Sequence, residues 1–174
     1  MDHSDHVRLL RDGVPGRGGT WADVGAGTGA FTLALADLLG PGAHIYAIDR
    51  DSRALAANAR SMGERFPGVA ASRLCADFTG PLDLTELDGL VMANALHFVD
   101  DQEGPVQELR GLLRPGGRFL VVEYNIERAN SAVPYPVPFA RWQALARAAG
   151  FGHTELLFRR PSRFLREIYS AASW

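Results

Sequence analysis

Apolar residues run along this chain in two alternating textures: short, nearly continuous apolar runs, and longer stretches in which apolar positions recur every three or four residues. Thr20 to Val24 reads as a strand, and Phe31 to Leu39 as a helix stopped by Gly40-Pro41-Gly42. His44 to Ile48 is the next strand, and Ser52 is placed to cap a helix through Arg60 towards Phe66-Pro67-Gly68. Val69 to Cys75 is a weaker third strand, Leu87 to Ala93 a fourth, and Pro105 to Leu113 a helix closed by Arg114-Pro115-Gly116-Gly117. Arg118 to Glu123 makes a fifth strand.

Near-continuous apolar strands alternating with helices predict a parallel sheet buried on both faces, an α/β doubly wound class. A proline-rich connection, Asn125 to Pro138, leads to a helix from Phe139 to Ala149. Thr154 to Phe158 and Phe164 to Tyr169 then read as two strands joined through Arg159-Arg160-Pro161-Ser162, too tightly for a parallel crossover. The expectation is one domain, 1–174, with a seven-stranded, mostly parallel sheet and a C-terminal antiparallel hairpin. Residues 1–19 form a short N-terminal segment in which Val7 to Leu10 suit one short helix.

With 174 residues, 47% of them hydrophobic and 22% charged, the chain can bury the core of one globular domain. It has no apolar run of the ~18 residues that a membrane span needs and no basic-then-apolar leader, so a cytoplasmic protein without a membrane partner is expected. A single cysteine, Cys75, excludes an internal disulfide and a clustered-cysteine metal site, and reads as a core residue. The net charge of -2 offers phosphate backbones no bulk attraction, which counts against nucleic acid as partner. All 18 basic residues are arginine, pointing to a GC-rich, bacterial coding genome. The absence of lysine excludes a Walker A lysine, a Schiff base and a Ser-Lys pair.

In open α/β sheets ligands bind at the carboxyl ends of the strands, near the point where strand order reverses. There stand Asp23 and the glycine turn Gly25-Ala26-Gly27-Thr28-Gly29, then Asp49, Asp77, Asn94 with His97, and Glu123 to Asn125. The turn lets backbone approach a ligand and aims helix N-terminal amides at it. Gly25, Gly27 and Ala30 also satisfy the dinucleotide fingerprint, so an NAD(P)-dependent oxidoreductase stays open beside other nucleotide ligands. Asp49 lies where a carboxylate can accept from two ribose hydroxyls, or serve as a helix N-terminal charge.

Four segments taken in order resemble the class I S-adenosylmethionine-dependent methyltransferases, in particular the group similar to ubiquinone and menaquinone biosynthesis methyltransferases. They are Asp23 to Phe31, Ile48 to Asp51, Cys75 to Phe78, and Asp88 to His97; Leu112 to Leu120 adds a fifth. The resemblance implies a Rossmann-like fold and S-adenosylmethionine as cofactor, released as S-adenosylhomocysteine. It places the methionine end against Gly25, Ala26, Gly27 and Gly29 with Asp23 near its amino group, Asp49 on the ribose, and Arg50, Asp77 and Phe78 around the adenine. Asn94 closes the site near the methionine.

Plainer roles stand beside these: Asp77 as a turn residue, Asn94 as a cap and Arg50 as a surface arginine. The acceptor is expected to be a small molecule, with His97 as the general base or else a histidine wedged beside the sheet end. Tyr124 and Glu123 are further catalytic candidates, Glu123 having backbone hydrogen bonding as its alternative. Residues 124–138 suit a substrate lid in which Tyr135 presents a ring, or a connector packed on the sheet edge. Relatives carry a longer N-terminal segment, which leaves the acceptor pocket open, closed by that loop, or closed by a second subunit in a homodimer. A cofactor-binding module without turnover is the non-enzymatic alternative. The run Arg159 to Arg166 suits an anionic acceptor or a solvated hairpin face.

Overall fold

The computed structural model describes residues 1–162 and 164–174; Arg163, within the arginine-rich run, lies outside the described residues. Seven strands form one sheet: β1 (Thr20–Val24), β2 (His44–Asp49), β3 (Ala70–Cys75), β4 (Leu87–Ala93), β5 (Leu113–Tyr124), β6 (Thr154–Ser162) and β7 (Arg166–Ser173). Five α-helices accompany them: α1 (His3–Leu10), α2 (Ala30–Leu39), α3 (Ser52–Arg65), α4 (Glu103–Gly111) and α5 (Phe139–Ala148). The strand order is β3-β2-β1-β4-β5-β7-β6. β1 to β5 pair in parallel and β7 pairs antiparallel with both β5 and β6, giving the expected α/β sheet.

Strand alternation explains the layers. In β5, Leu120 and Val122 point to one face and Phe119 and Val121 to the other, and all four are fully buried. The first face is covered by α1, α2 and α3 through residues such as Leu9, Leu35 and Met62. The second is covered by α4 and α5 through Leu109, Trp142 and Leu145. Strand order reverses at β1, whose neighbours β2 and β4 lie on opposite sides, so a crevice opens above its carboxyl end.

Several local expectations are corrected. Asp51, not Ser52, caps α3: its carboxylate accepts from the Arg53 and Ala54 amides at 2.8 and 3.1 Å. The fourth helix starts and ends two residues earlier than its periodicity suggests, and the strand after it begins at Leu113. The Arg114 to Gly117 turn is a bulge in that strand, because Leu113 pairs with Leu87 while Arg118 pairs with Gly89. The hairpin strands are displaced from their expected bounds: Arg159 to Ser162 belong to β6, and β7 runs from Arg166 to Ser173, so Phe164 and Leu165 precede the strand they were expected to open. Cys75 is exposed, since it ends the edge strand β3, where nothing covers the outer side; its Sγ donates to the Arg50 carbonyl at 3.6 Å.

At the β1–β4 contact, Gly89 is paired with Trp21, and a Cβ there would run into the buried Trp21 ring. Gly89→Ala is therefore expected to cost about 1–3 kcal/mol through overpacking. Gly16→Ala, with open space around its Cβ, should stay within about 0.5 kcal/mol of the parent. Urea unfolding of both variants checks the contrast.

Candidate active site

The glycine turn is built by backbone conformation. Gly25, Gly27 and Gly29 have φ of 74°, 51° and 99°, a region that side chains with a Cβ avoid. The turn is stitched to the end of β2: the amides of Gly25 and Ala26 both donate to the Ile48 carbonyl at 2.9 Å, and Gly27 donates to Asp49 Oδ2 at 2.8 Å. A Cβ on Gly25 would sit 2.6 Å from the Ala95 Cβ, so glycine lets the turn close against the segment following β4.

Beneath the turn lies a buried polar chain. Thr32 Oγ1, on the first turn of α2, donates to Asp23 Oδ2 at 2.6 Å, and Asn58 Nδ2 of α3 donates to Thr32 Oγ1 at 2.8 Å. Asp23 is 1% exposed, and burial pushes its carboxyl up to about 7 although the Thr32 hydrogen bonds oppose the shift. Neither Thr32 nor Asn58 stood out in the sequence, because a polar residue inside an apolar helix reads as neutral until its buried partner is known.

Above the turn is a cavity of about 520 Å³, a size suited to a small molecule or cofactor. Gly25, Asp49, Arg50, Asp77, Phe78 and Asn94 line it, so six expected cofactor residues from four strand ends converge there. Asp23, Ala26, Gly27 and Gly29 do not line it; they shape the turn from behind. Ala95 and Phe98 also line the cavity and went unremarked in the sequence, although their place directly after Asn94 was the available signal.

Asp49 half-faces the cavity, its Oδ1 accepting from the Asp51 amide at 2.8 Å. Asp77 does make the turn expected of its surroundings: Oδ1 accepts from the Thr79 amide and hydroxyl at 3.0 and 2.8 Å, which holds its carboxyl below the usual range. Asn94 has φ of 52° and a buried Oδ1 with no partner among the described residues. A strained residue holding an orphaned acceptor beside a cavity fits a ligand that supplies the missing donor. The glycine cradle, the two carboxylates and this acceptor suit a nucleoside with hydroxyl and amino donors.

His97, Tyr124 and Tyr135 lie outside this cavity's lining. His97 is buried on a 3-10 turn (Leu96–Phe98), and its Nδ1 is 2.6 Å from Glu123 Oε2. Glu123 is fully buried, and its Oε1 accepts from the Leu96 and His97 amides at 3.1 and 3.3 Å. With the carboxylate accepting from Nδ1–H, the neutral ring keeps its lone pair on Nε2. Nε2 has no hydrogen-bond partner among the described residues. Glu123 thus does hydrogen-bond neighbouring backbone, and it also orients the histidine.

Tyr124 is half-buried, its ring centroid 6.4 Å from that of His97. Burial, and then the Glu123 charge, push its phenol above the ordinary value, which makes it a hydrogen-bond donor and not a base. Tyr135 is exposed, and its amide donates to the His97 carbonyl at 3.0 Å while Gln102 Nε2 donates to its own carbonyl at 2.9 Å. Residues 124–138 are therefore fastened towards their C-terminal end, at Tyr135 and at the buried Val133 and Val137; Tyr169 donates to the Val137 carbonyl at 2.8 Å.

The comparisons with known proteins agree with this geometry. A family described as a methyltransferase domain matches residues 22–121. The chain is 27% identical over 109 residues to 2-phytyl-1,4-naphtoquinone methyltransferase from Nostoc punctiforme, covering 62% of this chain and 47% of that protein. It is 32% identical over 105 residues to polyketide synthase 19 from Gibberella fujikuroi, covering 58% of this chain and 4% of that one. The chain thus spans about half the length of the first relative and a small part of the second. Among solved structures, the YcgJ protein from Bacillus subtilis superposes with a TM-score of 0.77 at 14% identity, over 98% of both chains, a likeness of fold. The family match decides between the two nucleotide enzymes that the glycine turn alone left open.

Asp23 yields a prediction with a definite sign. A carboxyl raised from 3.8 to about 7 holds its proton more tightly folded than unfolded. Its stabilising contribution is complete below pH ~4 and lost as pH rises to ~7, about 4 kcal/mol in all, with no further change above. Asp23→Asn, which keeps an acceptor for Thr32, should flatten the stability-pH curve across that window. Urea unfolding at a series of pH values measures this, and an unaltered slope would exclude Asp23 as its source.

Proposed function

The chain belongs to the class I S-adenosylmethionine-dependent methyltransferases, with S-adenosylmethionine as its cofactor, and we propose that it methylates a small-molecule acceptor by in-line displacement, with His97 as the base. One observation carries this reading: the cavity above the reversal of strand order is lined by Ala95 and Phe98, which flank His97 in the chain, and Glu123 at the end of β5 holds that buried histidine from the adjoining strand.

The residues divide the work by position. The backbone of Gly25 would lie against the methionine end of the cofactor, and Asn94 Oδ1 would accept a hydrogen bond close by. Asp49 would accept from the ribose hydroxyls, while Asp77 and Phe78 would meet the adenine with Arg50 beside it. Asp23 holds the first turn of α2 from below through Thr32. When bound, S-adenosylmethionine supplies an activated methyl group whose leaving thioether is neutral and needs no protonation.

Placement of the acceptor is then the protein's main contribution to rate, worth about 7–11 kcal/mol where the geometry is ideal. An acceptor whose nucleophilic carbon, oxygen or nitrogen carries a proton needs a base, and His97 Nε2 takes that proton. Glu123 fixes the tautomer and stabilises the imidazolium so formed, acting as a positioning residue. Tyr124 keeps its proton and donates to an acceptor oxygen.

Calorimetry with S-adenosylhomocysteine tests the cofactor half: Asp49→Ala should bind about tenfold or more weakly, the loss of hydrogen bonds to a charged group. Equal affinity in a folded variant removes Asp49 from the ribose. For the chemical half, labelled S-adenosylmethionine is incubated with a metabolite extract. His97→Ala should lower methyl incorporation by about 10²–10⁴-fold, and Glu123→Gln should displace the pH profile of the remaining rate. Undiminished incorporation by folded His97→Ala would dismiss the base, and no incorporation by the parent chain across broad extracts would favour a binding module.

A further inference from the structure

Gln102 is 4% exposed, yet it stands at the N-terminal end of α4, where a polar side chain ordinarily turns back to accept from the first amides of the helix. It makes no such bond; Asp101 Oδ1 accepts from the Gly104 amide at 3.4 Å instead. The Gln102 side chain is spent on two partners distant in the chain. Its Nε2 donates to the Tyr135 carbonyl at 2.9 Å, and its Oε1 accepts from Arg141 Nε of α5 at 3.3 Å. A backbone carbonyl only accepts and a guanidinium only donates, so the two partners fix which way the amide faces. Neither a carboxylate nor an apolar chain of the same length serves both.

The Tyr135 backbone closes a ring through this contact. Its amide donates to the His97 carbonyl at 3.0 Å while its carbonyl accepts from Gln102, so residues 97 and 102 are tied to one residue. Tyr135 stands between Pro134 and Pro136, which have no amide and a fixed φ. Within 134–136 it alone can donate a backbone hydrogen bond, and its neighbours are stiff. Between the two ties lie Phe98, Val99 and Asp100, and all three line the cavity above β1, which Tyr135 does not. A ligand resting on residues 98–100 therefore restricts a loop whose two ends both bear on Tyr135.

We propose that Gln102 is a positioning residue that couples the cofactor cavity to the 124–138 segment. Through the Tyr135 backbone it fixes the loop 97–102, so that a cofactor against residues 98–100 tightens Tyr135 and, with it, the tie on the His97 carbonyl. Coupling of this kind is reciprocal: whatever the cofactor adds to the Tyr135 tie, the tie adds to cofactor affinity. The inference rests on the placement of S-adenosylmethionine in the cavity above β1, and it adds a residue that acts on His97 through Tyr135.

Amide hydrogen exchange followed by NMR, with S-adenosylhomocysteine as the probe, tests the coupling. Saturating the parent protein should slow exchange at the Tyr135 amide by about two- to tenfold, the worth of one hydrogen bond. Gln102→Glu keeps the acceptor for Arg141 and loses the donor to Tyr135; there the slowing at Tyr135 should vanish while slowing at the Gly25 amide, in the cavity wall, persists. Gln102→Met, which loses both bonds, should behave alike, and calorimetry should show both variants binding S-adenosylhomocysteine more weakly by a factor similar to the parent's slowing. A purely structural role would raise the Tyr135 rate with and without ligand alike and leave the slowing intact. An unchanged Tyr135 rate in the saturated parent overturns the coupling, whether or not either variant folds. Slowing that survives in folded Gln102→Glu, or undiminished affinity there, overturns Gln102 as its carrier. A parent protein that binds no S-adenosylhomocysteine is seen first, by calorimetry, and defeats the cofactor placement on which this inference stands.

Discussion

Everything at the carboxyl end of the sheet depends on how β1 turns into α2. Three glycines at positive φ within five residues bring the backbone against Ala95 on one side and the Asn58 side chain on the other. The Gly27 amide meanwhile reaches the Asp49 carboxylate. A side chain at Gly25 or Gly29 would force these neighbours apart. The turn therefore couples the ends of β1, β2 and β4, and the cavity exists because those ends are held at fixed separation.

Burial separates the roles of four carboxylates at this end of the fold, Asp23, Asp49, Asp77 and Glu123. Asp23 is buried against one hydroxyl, which favours its protonated form, so it serves as a strut under the turn. Glu123 is equally buried but accepts from two backbone amides and the His97 ring, a set of donors that suits a carboxylate. Asp49 and Asp77 reach the cavity; Asp77 has one oxygen tied into a local turn, whereas both oxygens of Asp49 accept from backbone amides, those of Asp51 and Gly27. Hydroxyl and amino donors of a nucleoside suit the second pair, whereas the first two support the structures around it.

Two cavities of different character open at the carboxyl end of the sheet. One is polar and lined by residues from four strand ends; the other is bordered by aromatic rings and walled by α1 and the hairpin. Ala95 and Phe98, on either side of His97, line the first, and Tyr124 lines the second. The fastened 124–138 segment supports the histidine from outside through Tyr135.

The order of strands and helices, the doubly wound class and six of the residues that line the cavity above β1 were legible in the sequence. Periodicity is local, and strand-end residues in such a sheet must face one crevice. Asp51 in place of Ser52 as a cap, and the longer hairpin strands, escaped because several polar residues there satisfy the same local preferences. Other features were decided only when the chain closed. His97 and Glu123 stand 26 residues apart, and nothing near either announces the other; pairing of β4 with β5 brings their ends together. Cys75 is exposed because its strand came to lie at an edge, and Tyr124 lines a cavity because α1 and the hairpin folded beside it. Local spacing determined which elements form and where their polar ends lie. Burial and through-space neighbours, which depend on residues distant in the chain, decided what each polar end can do.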